Sequence, residues 1–422
     1  MSTGSLIEKL LQGAKVEWMA LGEVGTLIRG NGLQKKDFTE VGVPAIHYGQ
    51  IYTYYGLCTS ETISFVSPTL AKALRKVEYG DVVITNTSEN LEDVGKALLW
   101  LGKDQAVTGG HATIFKPSDA ILGKFFVYYT LTSTFSDQKK RYAKGTKVID
   151  VSATDMSKII IPLPPLSVQE EIVRILDAFT ELTTELTTEL TTELNIRKKQ
   201  YNYYRDFLLS EAELAKVGFE WKTLGDVAII QRGASPRPIS EYITEEKDGI
   251  PWIKIGDTAP DSKYISQTLQ KITRKGAEKS RVLKKGDFVM SNSMSFGRPY
   301  ILNIEGAIHD GWASISGFED KLSTDFLYYY LSSHQVQSFW NSKINSSSVS
   351  NLNSEIIKSL SIPIPPLSEQ QRIVSILDKY DALTNSITEG LPREIELRQK
   401  QYEYYREQLF NFPQAEVEAK AA

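Results

Sequence analysis

The sequence predicts an α+β chain of 422 residues built twice to one plan, a β-rich block followed by a long amphipathic helical arm. Three observations predict it: motif pairs repeated at one constant offset, a leucine-periodic run mid-chain, and short β-branched stretches bounded by glycine turns elsewhere.

The repeat comes first. "IPLPPLSVQEEIVRILD" (residues 161–177) returns as "IPIPPLSEQQRIVSILD" (residues 362–378), and "RKKQYNYYR" (197–205) returns as "RQKQYEYYR" (398–406), both 201 positions later. The preceding blocks correspond more faintly, through "VEWMALGEV" and "FEWKTLGDV", "YGDVVITNTS" and "KGDFVMSNSM", "FFVYYTLTS" and "FLYYYLSS". The arms match at 12 of 18 positions from residue 161 onward, whereas the blocks share mainly anchors. One partner type bound twice by the arms, and two different targets bound by the blocks, accounts for that contrast.

Within the blocks, runs such as "DVVIT" and "YILNI" read as strands of a curved, mostly antiparallel sheet, with a local helix at the Phe/Tyr/Leu anchor. Each arm opens with a proline-rich extended segment. Ser167 and Ser368 are then expected as N-caps, completed by Glu170 and Gln371 as capping boxes. Apolar residues follow at helical spacing, and Gly390 with Pro392 marks a stop or kink in the second arm.

The run "TELTTELTTELTTEL" (180–194) occupies the first arm. Four residues on a helix of 3.6 per turn advance about 400°, so Leu182, Leu186, Leu190 and Leu194 form a stripe drifting about 40° per unit. That stripe is expected to contact a partner helix. Glu181, Glu185, Glu189 and Glu193 form a parallel acidic row, expected to face basic residues such as Arg393 and Arg398. A polar Thr/Glu linker is the plainer reading.

Composition narrows the function. A net charge of −4 leaves room only for local basic patches on nucleic acid. One cysteine, Cys58, forbids an internal disulfide and fits a reducing compartment, and His47, His111, His309 and His334 show no metal-ligand spacing. No stretch has the length of a membrane span, so a cytoplasmic protein is expected. The chain also lacks the (N/D)PP(Y/F) loop of adenine amino-methyltransferases, the GxxxxGK[ST] phosphate loop and a GxSxG elbow. "PDSK" (260–263) reads as a turn rather than a nuclease site. The chain looks empty of catalysis.

The paired "IPxPPLSxQ" and "QYxYYR" motifs, the LG[ED]V start of each block and the tandem four-residue run closely resemble the specificity subunit of type I restriction-modification systems (HsdS), over essentially the whole chain. The distal arm is similar to that of the IC subgroup. The resemblance implies two target-recognition domains, at 1–157 and 213–358, separated by two long helices that form an antiparallel coiled-coil pair in a pseudo-two-fold arrangement. Residues 158–212 become a central spacer arm, 359–412 a distal arm, and 413–422 a disordered tail. Each domain then reads one half of an interrupted site in double-stranded DNA. The subunit itself is non-catalytic, and two modification subunits using S-adenosylmethionine and two ATP- and Mg-dependent restriction subunits supply the chemistry. A coiled-coil scaffold whose β-rich blocks bind proteins is the competing reading.

Base readout needs Arg, Lys, Asn, Ser or Thr on loops, with basic groups on phosphates. The first block offers Arg29, Asn31, Lys35 and Lys36, then Asn86, Thr87, Ser88 and Asn90, then Lys139, Lys140, Arg141 and Lys144. The second offers Arg232 and Arg237, then Ser291, Asn292, Ser293 and Arg298, then Lys343 and Asn345. The near-identity of the arm ends argues against sequence reading there. Tyr201, Tyr204 and Arg205, with Tyr402, Tyr405 and Arg406, are instead candidates for packing in the helical pair or against another subunit.

Overall fold

The computed structural model describes residues 6–258, 262–292, 297–345, 352–385 and 390–413. Chain contacts divide it into two units, Met1–Thr187 with Leu397–Ala422, and Thr188–Glu396. The helix Leu166–Leu208 contributes to both, so the run of leucines is helical and not a linker. The second arm is broken into Leu367–Asn385 and Gly390–Phe410. Gly390 has φ +80°, and a side chain there would meet the carbonyl oxygens of Ala382 and Leu383 at 2.5 and 2.7 Å, so only glycine fits.

The first unit holds two five-stranded sheets. One runs Gly25–Arg29, Ala112–Pro117, Val82–Thr85, Ala97–Trp100, Cys58–Thr59; the other runs Phe38–Thr39, Phe65–Val66, Val43–Ile46, Ala106–Thr108, Arg75–Val77. A two-stranded pair joins Glu17–Ala20 to Ile160–Leu163. The second unit repeats this order strand for strand, from Ile229–Arg232 to Tyr264–Ile265 and from Ile243–Thr244 to Arg281–Leu283. The expected single antiparallel sheet is therefore two sheets per unit, each carrying one parallel pair. Two covered faces explain why the central strands are apolar throughout. Val82 and Ile84 join Phe115 and Phe126 in the core beneath the helices, while Val83 turns to Trp100 and Ile114 between the sheets. Phe288 and Met290 against Val289 make the same division in the second unit.

The helix Gly123–Tyr129 is buried on nearly every side. Its two phenols are therefore kept only because each finds a partner: Tyr128 donates to Asp177 (2.7 Å) and Tyr129 to the Ile160 carbonyl (3.2 Å). Tyr329 and Tyr330 do the same with Asp378 (2.5 Å) and Ser361 (2.8 Å). Burial pushes all four phenols above their ordinary range.

The helix start differs from the expected capping box. The helix begins at Leu166, and the Pro165 carbonyl accepts from Val168 and Gln169 N–H, so Ser167 already lies in the first turn. The second arm starts alike, from Pro366. A different side chain does the fixing. Gln169, fully buried, accepts from Leu122 N–H (2.9 Å) and donates to the Ala120 and Pro164 carbonyls (both 2.9 Å). Gln370 bonds Ser323, Lys321 and Pro365 identically. The repeated "PPLSxQ" is thus a clasp between sheet, connecting loop and helix.

The arms also repeat their side-by-side contacts. Phe179 stacks on Tyr405 (5.3 Å) and Thr180 meets the Tyr402 hydroxyl (3.0 Å), so the two segments run antiparallel within the first unit. Tyr204 on Tyr380 (5.4 Å) is the equivalent stack in the second. Phe410 closes the first unit against Phe125 and Tyr129, and the Trp18 indole donates to the Pro413 carbonyl. The rest of the expected tail lies outside the described residues. The leucine stripe needs correction at one end: Leu182 is 59% exposed, while Leu186, Leu190 and Leu194 are half-buried and Thr183 and Thr187 share the packed side. Contact positions alternate by three and four residues, so a strict four-residue step rotates one leucine off the seam. Glu193 pairs with Arg197 of its own helix (2.7 Å), and Arg393 with Glu396 (2.8 Å).

Removing the clasp while keeping the helix is a direct test. Gln169→Ala leaves three buried backbone groups without their partner and is expected to cost about 3 kcal/mol in urea unfolding. Glu170→Ala, at the exposed capping-box position, is expected to stay within about 0.5 kcal/mol.

Candidate nucleic-acid interface

In each unit one arginine–glycine pair brings two loops together. Arg29 Nε donates to the Gly110 carbonyl (2.9 Å), and Arg232 Nε to the Asp310 carbonyl (3.1 Å). The following glycines permit the approach: a side chain on Gly30 would lie 2.2 Å from the Gly109 oxygen, and one on Gly233 2.1 Å from the His309 oxygen. Behind them, the amide of Asn86 donates to the Val151 carbonyl (2.7 Å) and accepts from Thr113 (2.8 Å). Backbone bonds from Asn86 to His111 and from Asn292 to Gly311 match, as do those from Val151 to Asn86 and from Leu352 to Asn292. The loop frame is thus common to both units.

The side chains mounted on that frame are not. Where the first unit reads Gly109, Gly110, His111, the second reads His309, Asp310, Gly311. Where the His47 side chain caps the segment after the strand Val43–Ile46, Lys254 stands at the same position after Ile250–Ile253 without a side-chain cap. His111 shares a 2.9 Å hydrogen bond with Thr87 and lies 4.9 Å from the Tyr48 ring, which in turn lies 4.5 Å from His47. Burial, helped by His111 and Lys35, lowers the His47 pKa, so its Nδ1 stays an acceptor for Gly49 N–H. In the second unit Asp310 accepts from Ser235 (2.9 Å) and pairs with His309 (3.1 Å) and Arg237 (3.7 Å). Burial pushes its carboxyl up, but Ser235 and His309 outweigh that and hold it below the ordinary value.

Many residues expected to touch DNA also bond within the fold. Besides its backbone bond, Arg29 pairs with Asp150 (3.1 Å); Asn31 bonds Ala73 and Arg75; Asn90 bonds Asp93. Ser88 is buried in the strand pairing of Thr87–Ser88 with Ile149–Asp150, and Ser291 ends a buried strand. Lys140 pairs with Asp137 and Lys144 with Asp155. Lys35, Lys36 and Arg141 are exposed, as are Arg232, Arg237 and Lys343, the last over the Phe339 ring. Arg298 lies over Tyr300 (5.2 Å), and Asn292 is half-buried. Ser293, the side chain of Asn345 and the first two residues of "PDSK" fall outside the described residues. His47, Tyr48 and Lys254 were not singled out by sequence as contacts; only the strand register reveals that His47 and Lys254 occupy one position, with Tyr48 beside it.

The arm-end residues turn inward. Tyr201 is 8% exposed, Arg205 and Arg406 lie over the rings of Tyr201 and Tyr402 (both 5.6 Å), and the Tyr204 and Tyr405 rings are spent on the stacks above. Tyr204 keeps 39% of its surface exposed despite its stack, and Tyr203 and Tyr404, passed over by sequence, are more exposed at 64% and 60%. Among the described residues no group of three His, Cys, Asp or Glu could hold a metal, and no helix is long and apolar enough to cross a membrane.

A two-fold repeat of one loop frame has a counterpart among known proteins. The sequence signature of the type I restriction modification DNA specificity domain matches twice, at residues 14–195 and 216–397. The chain belongs to that family. It is 35% identical over 434 residues to the EcoR124I/EcoR124II specificity subunit of Escherichia coli, covering 99% of each chain. It is 29% identical over 416 residues to the EcoprrI specificity subunit of E. coli, covering 92% of this chain and 93% of that one. Among solved structures, a chain from a type I R-M system superposes with a TM-score of 0.70 at 19% identity, covering 95% of this chain and 98% of that one. The HsdS subunit from Thermoanaerobacter tengcongensis gives 0.54 at 20% identity, covering 94% and 96%. The fold, two specificity domains of mixed sheet and helix with long helical segments, agrees with both.

One lysine of the first domain tests the frame. Lys139, expected at the surface, is 6% exposed and donates to the Glu92 and Val94 carbonyls (3.2 and 2.5 Å), beneath the loop that carries Asn90. Burial, with Lys96, pushes its ammonium down to about 8 from 10.5. Between those values the folded chain has lost a proton that the unfolded chain keeps, so stability rises with pH. Relative to Lys139→Met, the protein is expected to gain roughly 1 kcal/mol per pH unit between pH 8 and 10.5 and nothing below pH 8, read by urea unfolding.

Proposed function

We propose that this chain is the non-catalytic specificity subunit of a type I restriction-modification complex, each domain reading one half of an interrupted site in double-stranded DNA. The observation that carries this reading is the shared loop frame bearing exchanged chemistry: His47 against Lys254, Gly110 against Asp310, His111 against Gly311. Two identical targets would call for identical side chains on identical frames. Two half-sites call for a common frame with different donors and acceptors, since base edges are distinguished by their hydrogen-bond pattern. In this reading the exposed Lys35, Lys36, Arg141, Arg237 and Lys343 contact phosphates, which position without reading sequence.

The repeated arm ends fit a partner present twice, two modification subunits that carry S-adenosylmethionine and the methyl transfer. Two restriction subunits with ATP and Mg complete the complex. In this reading the TTEL run is a ruler. Each unit adds about 6 Å of helix, against about 3.4 Å per base pair. It also turns the helix by about 40°, close to the twist of one base pair at 10 to 10.5 per turn. Mapping N6-methyladenine in cells that express the chain with its modification subunits tests the proposal. One bipartite motif is the expected result; methylation without sequence preference overturns it. Deleting residues 187–190 is expected to shorten the unread spacer while both half-sites stay the same, and an unchanged spacer overturns the ruler.

A further inference from the structure

Where sheet meets long helix, the two units meet the same need with different charges. In the first, Lys124 Nζ pairs with Asp177 (2.8 Å), which also accepts from Tyr128; Tyr128 in turn lies 3.2 Å from the Thr180 hydroxyl. In the second, the position of Lys124 is held by Asp325, which cannot neutralise Asp378. The cation arrives from the bend just before the edge strand Tyr264–Ile265. Lys263 Nζ lies 2.7 Å from Asp325 and 3.8 Å from Asp378, and 4.8 Å from the centres of both the Tyr328 and Tyr329 rings. Its side chain is only 11% exposed.

The internal duplication shows that these changes come as a set. Lys263 stands where the first unit has Leu57: their carbonyls accept from equivalent amides, Ile301 (2.9 Å) and Leu99 (3.0 Å). Tyr328, whose ring face receives the ammonium, replaces Val127, and Asp381 replaces Thr180. Four positions around this contact therefore differ between the units, and a buried lysine without carboxylates, or a carboxylate cluster without a cation, would be unfavourable. Lys263 also sits beside the candidate reading surface, because Arg298 donates to the neighbouring Ser262 carbonyl (3.5 Å).

We propose that Lys263 is a positioning residue that fixes the edge strand Tyr264–Ile265, and with it Arg298, to the helix carrying Asp378. The effect on reading rests on the proposal that the second domain reads a half-site; the latch itself does not.

Two measurements separate these. In the full chain, amide hydrogen exchange at Ile301 is expected to rise at least tenfold in Lys263→Leu. It is expected to return to within twofold in Lys263→Leu/Asp325→Lys, which restores the pairing of the first unit, and to stay within twofold in Lys263→Arg. Unchanged exchange in Lys263→Leu, or no recovery in the double variant, overturns the latch. If Lys263→Leu fails to fold, recovery of folding by Asp325→Lys supports the latch and continued failure overturns it. In the complex with modification subunits, Lys263→Leu is expected to lose at least tenfold of its discrimination at the second half-site only, with the double variant recovering it. Altered exchange with discrimination unchanged, or a loss shared by both half-sites, overturns the role in reading. A wild-type complex without sequence preference refutes the recognition proposal and leaves the exchange result to decide the latch.

Discussion

The structure depends on a buried amide. Gln169, and Gln370 after it, joins a helix start, a proline-rich strand exit and the loop before the tyrosine helix through three hydrogen bonds each. A glutamine side chain can satisfy an acceptor and a donor need at once, which no hydroxyl or carboxylate in that place could do for this combination of one N–H and two carbonyls. With the amide in place the helix axis is fixed against the sheet, and the phenols of Tyr128 and Tyr329 come within reach of Asp177 and Asp378. Without it the same apolar faces could collapse in several ways, because hydrophobic contact has little directional preference.

How much of this was legible beforehand depended on whether the signal was periodic or geometric. The duplication, the central helix and the apolar central strands followed from repetition and alternation. The capping boxes did not form, because proline already supplied the first carbonyl and the repeated glutamine, one residue nearer, did the fixing. Leu182 fell off the helical seam, since equal spacing in sequence is not equal spacing around a packed pair. The site was less legible still. Asn31, Asn86 and Arg29 have the side chains of DNA contacts and also hold the loops, and only Asn86 is buried in doing so. Lys139 reads as basic surface and is buried, because only the fold shows which of three adjacent cations in "KKR" faces inward.

The contrast between frame and mounted side chains has an energetic side. Buried groups such as Asn86 and Thr113 tolerate little change, since an unmatched partner leaves a desolvated polar group behind. Exposed positions such as Lys35 and Lys36 carry no such constraint and are free to differ. A pair of related domains can thus diverge in what it binds while its loops keep their shape. The Arg29–Gly30 and Arg232–Gly233 pairs mark the line between the two regimes.

The division of the chain also bears on the order in which it matures. The second unit is one continuous stretch, Thr188–Glu396, whereas the first is assembled from the beginning of the chain and its final helical segment, Leu397 onward. Domains generally close as units during synthesis at a pace of several residues per second. The part made first must therefore wait for the part made last, with the surface around Phe125 and Tyr129 uncovered until Phe410 is made. The second unit, begun later, has all its residues earlier, so completion runs opposite to translation.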